Sequence, residues 1–230
     1  MPTADKGRFW NEKILGWEDS RYGVPHPSDG LVERIAGGVS GSLRFRLAAA
    51  VRLLTPHVRG RRVVEVGCGS GYLAAPLIEA GAIAYQGFDL APNAIDRARR
   101  LHDGLGGDAR PVRFDVAAVT DLRDQGDAML VSLGLFDWLT DDEISHLFAI
   151  GRSGPYLHAL SERRLSAQQL IHRLYVHVAY GRRTGLRPRY QSVAEIDALL
   201  SAAGRPPAGV FRHPRLRFGI FVSDLPLPPL

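Results

Sequence analysis

Cysteine is almost absent: in 230 residues only Cys68 carries a thiol. An intrachain disulfide is therefore excluded, and so is a zinc site built from cysteines. Lysine is nearly as scarce, Lys6 and Lys13 being the only two, so the net charge of +5 comes from arginine. No apolar run approaches the roughly 20 residues needed to cross a bilayer. The opening "MPTADKGRFWNEK" has no continuous apolar stretch of the kind a signal peptide needs. Cytoplasmic placement is the expectation. Internal repeats are lacking, and the short "LPLPPL" tail is the only biased tract. What is present is an ordinary globular composition, 45% hydrophobic and 23% charged, in a chain long enough to bury one core.

Residues 1–40 mix aromatics, Gly and Pro in "RFWNEKILGWEDSRYGVPHPSDG", which reads as a short helix and an irregular loop, a lid or docking segment. In "SLRFRLAAAVRLL" the apolar positions Leu43, Leu47, Ala50, Val51 and Leu54 follow a 3.6-residue period, predicting an amphipathic helix within 41–58. From residue 59 to 160 strands alternate with helices: "RRVVEVG", "AIAYQGFDL", "PVRFDVAA", "DAMLVSLGLF" and "PYLHALS" read as strands. "YLAAPLIEAG", "APNAIDRARRLHDGL" and the capped "TDDEISHLFAIG" read as helices between them. Residues 161–190 form an insertion, and 191–230 close with the helix "SVAEIDALLSAAG" and two strands around Pro214. The series predicts a single α/β domain: a doubly wound, mostly parallel seven-stranded sheet whose last two strands, too close for a crossover, make an antiparallel hairpin.

In such a sheet a ligand sits beyond the carboxyl end of the first strand. There stands "VVEVGCGSGYLA", residues 63–74, with Gly67, Gly69 and Gly71 and an acid, Glu65, at the strand end. Glycines in this place let backbone N–H groups approach a polar ligand closely. Two ligands use loops of this kind. Gly69 to Ala74 fits the dinucleotide pattern G-x-G-x-x-[GA], and Asp89 follows at the distance the ribose-binding acid needs. In that register, however, Gly67 has no purpose, and Glu65 would face phosphates.

Read as E-x-G-x-G-x-G, the stretch resembles the first motif of the class I S-adenosylmethionine-dependent methyltransferases, of the small-molecule type. The resemblance continues through "YQGFDL", "VRFDVAA" and "DAMLVSLGLFDWLTDDEI", covering residues 60–150. It implies S-adenosylmethionine as the cofactor and a Rossmann-like methyltransferase fold. Glu65 would lie by the methionine end, Asp89 and Leu90 by the ribose, and Asp115 and Val116 by the adenine. Gly67, Cys68, Gly69 and Gly71 would form the cradle, with backbone near Ser132 and Leu133 flanking it. Tyr22 or Arg21, from a segment that covers the pocket in many relatives, would meet the donor's carboxylate.

Methyl transfer from a sulfonium is an in-line displacement in which placement matters most, and a base is needed only for an acceptor that keeps its proton. Asp137, just after the fourth strand, and His158, in the fifth, are the candidate catalytic residues; Glu162 is a further one. Asp137 reads equally as a helix cap and His158 as a core residue. The insertion "RRLSAQQLIHRLYVHVAYGRRTGLRPRYQ" carries an apolar stripe at Leu170, Leu174 and Val178 among many arginines. It reads as a cap over the acceptor site, or as a solvated basic face.

The acceptor class narrows by what is missing. "SLGL" stands where nucleobase amino-methylation in this fold brings an [N/D/S]-P-P-[aromatic] motif, and Cys68 is spent in the glycine loop. A paired-glutamate loop for arginine methylation and a carboxylate cluster for a metal are not found either. Metal-free O- or N-methylation of a small molecule, lipid or sugar is the expectation, with an anionic acceptor or peripheral membrane contact suggested by the arginines. The alternatives are an RNA-binding methyltransferase using those arginines and a nicotinamide-dependent oxidoreductase. Nucleic acid is disfavoured because aromatic and basic residues do not alternate as base stacking needs.

Overall fold

The computed structural model describes residues 3–22, 31–164, 169 and 188–227. Seven strands form one sheet: β1 (Arg62–Val66), β2 (Ala84–Asp89), β3 (Val112–Val116), β4 (Met129–Leu133), β5 (Tyr156–Ser161), β6 (Gly209–Arg212) and β7 (Gly219–Ser223). Their order is β3-β2-β1-β4-β5-β7-β6. The first five pair in parallel, whereas β7 runs antiparallel to both β5 and β6. The predicted terminal hairpin is present, with β7 inserted between β5 and β6.

Alternation along each strand feeds two cores. Val63, Met129, Leu157 and Phe221 join one, beneath α2 (Leu31–Leu54), α3 (Ala74–Glu79) and α4 (Pro92–Leu101). Val64, Leu130, Leu160 and Val222 join the other, beneath α5 (Asp141–Ile150) and α6 (Val193–Ala202). Both α5 and α6 start with reciprocal caps, Thr140 with Glu143 and Ser192 with Glu195. A buried arginine, Arg205, ties the hairpin to the body: its guanidinium donates to the carbonyls of Gly151 and Gly154 and to Asp224.

The N-terminal third departs from expectation. In place of a short helix and a loop there are two long helices, α1 (Thr3–Tyr22) and an α2 that begins twelve residues before Leu43. Gly37, Gly38 and Gly41 lie inside α2, at a helical cost near 1 kcal/mol each. Burial of Ala49, Ala50, Leu53 and Leu54 at the other end of α2 offsets that cost, since fully burying a leucine contributes about 2 kcal/mol. The last strand is shorter than "RLRFGIFVSDL": Pro214–Leu216 is a 3-10 turn, and Arg217 has a left-handed φ of 59°. The expected cap helix over 170–178 lies outside the described residues.

Candidate functional site

β1 has β2 on one side and β4 on the other, so the strand order reverses beside it, and the carboxyl end of β1 is where open α/β sheets place a ligand. The glycine loop fills that place. It is tied back to β2 by the N–H groups of Gly67 and Cys68, which both donate to the Phe88 carbonyl at 2.7 and 3.0 Å. Gly69 and Gly71 have φ of 54° and 75°, a region that penalises any residue with a Cβ. Space also demands glycine at Gly71, where a Cβ would come within 2.5 Å of the Phe114 ring. The helix after the loop, α3, has only six residues. Within the loop the Gly71 N–H donates to the Cys68 carbonyl at 2.9 Å and the Gly69 N–H to Asp89, which leaves the Ser70 N–H and hydroxyl as the donors not tied to the loop or to β2.

Two predicted acids meet this loop. Asp89 accepts from the N–H of Gly69 at 2.8 Å through one oxygen and from that of Ala91 at 2.9 Å through the other. Desolvation still raises its carboxyl above the ordinary range. Glu65 is 3% exposed and accepts from the phenol of Tyr85. Burial, with the charges of Asp89 and Glu18 nearby, pushes Glu65 up to about 8. Acids held in this way are costly to ionise alone and ready to ionise beside a cation. A donor carrying ammonium and sulfonium charges suits them, and a pyrophosphate does not.

The other predicted residues are dispersed. Asp115 is exposed and lies on the face of β3 opposite Phe114, engaged by Arg99 at 3.2 Å and Gln86 at 2.8 Å. Val116, next to it, leaves 48% of its surface open at the strand tip. Leu90 packs under Gly7 of α1. Cys68 is buried, and desolvation pushes its thiol well above the usual value. Leu133 is half-buried at the end of β4. The Ser132 hydroxyl is spent in the interior, 2.9 Å from Nδ1 of His158. Tyr22 ends α1, and its side chain lies outside the described residues, as does that of Arg21.

His158 has no exposed surface and sits among Phe136, Phe148 and Tyr156. Desolvation lowers its midpoint to about 3. A base must reach the proton it takes; this ring is a neutral core histidine in this conformation. Asp137 is different. It lies in a 3-10 turn (Phe136–Trp138) after β4 and accepts from the Ser161 N–H and hydroxyl at 2.8 and 2.7 Å, bridging the tips of β4 and β5. Desolvation raises it to about 6, against the opposing pull of those bonds and of Arg46. Glu162 is held by Arg164 and Arg212 and kept low.

Three site residues escaped the sequence reading: Tyr85, Arg46 and Glu18. Arg46, on α2, covers Gly134 so closely that a Cβ there would lie 2.6 Å from Nη1. Its Nε is buried without a hydrogen-bond partner among the described residues. The signal was its place in the apolar stripe, three residues after Leu43 and four before Ala50. Glu18, 2% exposed, accepts from the Ser70 N–H at 2.9 Å and from the Ser70 hydroxyl.

Residues 63–152 match a methyltransferase domain family. The chain is 38% identical over 65 residues to a ubiquinone biosynthesis O-methyltransferase of Neisseria meningitidis, covering 28% of this chain and 26% of that protein. It is 35% identical over 78 residues to a ribosomal protein L11 methyltransferase of Pseudomonas paraeruginosa, 34% of this chain and 26% of that one. The chain thus spans about a quarter of the length of these curated relatives. Among solved structures, a magnesium protoporphyrin IX methyltransferase from Synechocystis with bound SAH has the same fold, with a TM-score of 0.73, 16% identity and coverage of 96% of this chain and 98% of that one.

Proposed function

We propose that this chain, of which residues 63–152 match a methyltransferase domain, is a class I S-adenosylmethionine-dependent methyltransferase that acts on an O or N nucleophile of a small-molecule, lipid or sugar acceptor. The observation that carries the reading is the pair of desolvated acids, Glu65 and Asp89, beside a loop of backbone donors. Glu65 receives the donor's ammonium end, Asp89 with Leu90 the ribose, and Asp115 with the open side of Val116 the adenine. Gly67 to Gly71 and the backbone at Ser132 and Leu133 close around it.

The donor, when bound, supplies a methyl carbon already activated by its sulfonium. What the chain adds is placement in a site of low water content, without a covalent nucleophile or a metal. Asp137, with a midpoint of about 6, is largely ionised at neutral pH and can accept the proton an alcohol or amine gives up. Arg46, whose charge is felt by Asp137 and whose buried Nε has no partner among the described residues, favours an acceptor with a negative group, because a buried N–H donor is costly without an acceptor. The O-methyltransferase relative agrees with an oxygen acceptor. His158 is assigned to the core.

Titration calorimetry tests the donor: heat with S-adenosylmethionine and none with NAD or NADP. Asp89→Ala weakens donor affinity by at least about tenfold, the worth of a hydrogen bond to a charged group. Binding of NAD in place of the methyl donor, or an unaltered affinity in the variant, overturns the assignment. Methyl-tritiated donor then identifies the acceptor as the metabolite that takes up label.

A further inference from the structure

The atom that fills the Cβ space at Gly69 belongs to Glu18, a residue of α1 and not of the loop. α1 lies across the strand tips, and one of its faces meets the body at helical spacing. Gly7 packs on Leu90, Asn11 bonds twice with Asn93, Ile14 packs with Ala91 and Ala94, and Glu18 takes Ser70. Beside that face Lys6 pairs with Glu143 at 2.9 Å, Trp10 stands edge-on to Trp138, and Asp19 pairs with Arg97 at 2.7 Å. The helix thus bridges from α5, past the turn after β4, to α4 and the glycine loop.

Its last anchor is electrostatically awkward. Glu18 is desolvated, which raises its carboxyl, and the charge of Asp89 raises it further; Glu65 feels Glu18 in turn. What holds it is the pair of Ser70 donors, the backbone N–H and the hydroxyl, helped by the charge of Arg97. Those donors belong to the loop that any ligand of this cradle must use.

We propose that α1 is a self-inhibitory strap: Glu18 occupies the Ser70 donors in the absence of ligand, and an acceptor oxygen of the methyl donor displaces it. The inference rests on the donor reading above. Each binding event then includes release of the strap, so the measured affinity equals the intrinsic affinity reduced by the fraction of molecules in which Ser70 is free.

The sign of one substitution decides between this and the simpler roles of Glu18. Glu18→Ala frees Ser70, and both S-adenosylmethionine and S-adenosylhomocysteine bind tighter, by about tenfold for a hydrogen-bonded carboxylate. Lys6→Ala loosens the far end of α1 without touching the loop and tightens both ligands by a smaller factor, about two- to fivefold. In the wild-type chain, hydrogen exchange of the amides in 3–22 quickens when S-adenosylhomocysteine is added. A Glu18 that lends its charge to the cationic donor gives the opposite result, with Glu18→Ala weakening S-adenosylmethionine more than its uncharged-sulfur product. A Glu18 that only shapes the loop gives equal weakening of both. Either of those results overturns the strap, as does unchanged affinity in either variant or slower exchange in α1. A wild-type chain that binds neither ligand removes the donor reading itself and the strap with it, and it is told apart by the missing wild-type heat.

Discussion

Replacing Glu65 by Gln separates the cost of this site from its use. In the unfolded chain the carboxyl ionises from its ordinary 4.5 upward, while in the folded state it holds its proton to about 8. Between those values the native state binds more protons than the unfolded one, so stability falls as pH rises through the window. At about 1.4 kcal/mol per pH unit, the loss reaches on the order of 3 kcal/mol by pH 7. Gln keeps the shape and an acceptor for Tyr85 but never ionises. Urea denaturation of both proteins at pH 5, 6, 7 and 8 should give stabilities within about 1 kcal/mol at pH 5 and a gap in favour of Glu65→Gln that widens to about 3 kcal/mol at pH 7 and about 4 kcal/mol at pH 8. Other raised acids, Asp137 and Asp89 among them, tilt both curves alike and drop out of the difference. The same variant should bind S-adenosylmethionine at least about tenfold more weakly, because a carboxylate beside an ammonium ion is worth more than an amide. Parallel pH curves would refute the claim that Glu65 holds its proton. A stabilised variant with undiminished donor affinity would refute its role at the methionine end.

Gly71→Ala places a Cβ against the Phe114 ring at a left-handed φ. Left-handed strain of about 1–2 kcal/mol and overpacking of similar size should cost about 3 kcal/mol of stability and lower the urea midpoint in proportion; an unmoved midpoint would contradict the tight loop. Asp137 needs its charge to take a proton, so wild-type kcat should fall as pH drops through about 6. Asp137→Asn should lose that acidic limb together with about a hundredfold in rate, and a profile of unaltered shape would remove the base. Ser132→Ala strips Nδ1 of His158 of its partner and should cost about 1–3 kcal/mol of stability with kcat preserved. A selective drop in kcat would restore a chemical role to His158.

The sheet was legible because its strands are short β-branched runs between glycine and capped helices, as in "RRVVEVG" and "TDDEISHLFAIG". Glu65 and Asp89 were legible as acids at strand ends beside a glycine loop. Asp115 was found by the same rule, and alternation along β3 sets it on the face opposite the buried Phe114, a choice that strand register decides. α1 was hidden for a physical reason: its docking face is Gly7, Asn11, Ile14 and Glu18, held by small size and hydrogen bonds, so no apolar period marks it. Arg46 and Tyr85 were hidden in apolar surroundings, where a polar atom reads as noise until its partner, or the want of one, is seen in three dimensions. His158 shows the converse. A histidine between Leu157 and Ala159 drew attention by its chemistry, while the burial of its neighbours foretold its place in the core.

Cys68 is a buried member of the loop, 6% exposed, its sulfur 2.9 Å from where a Cβ on Gly87 would stand, and its thiol resists ionisation. Such a sulfur meets an aromatic disulfide reagent only in the instants when the loop peels away from β2. Its rate of modification is therefore an internal clock for that breathing, and with no second thiol in the chain every tick comes from one place. Whatever settles into the crevice will slow it.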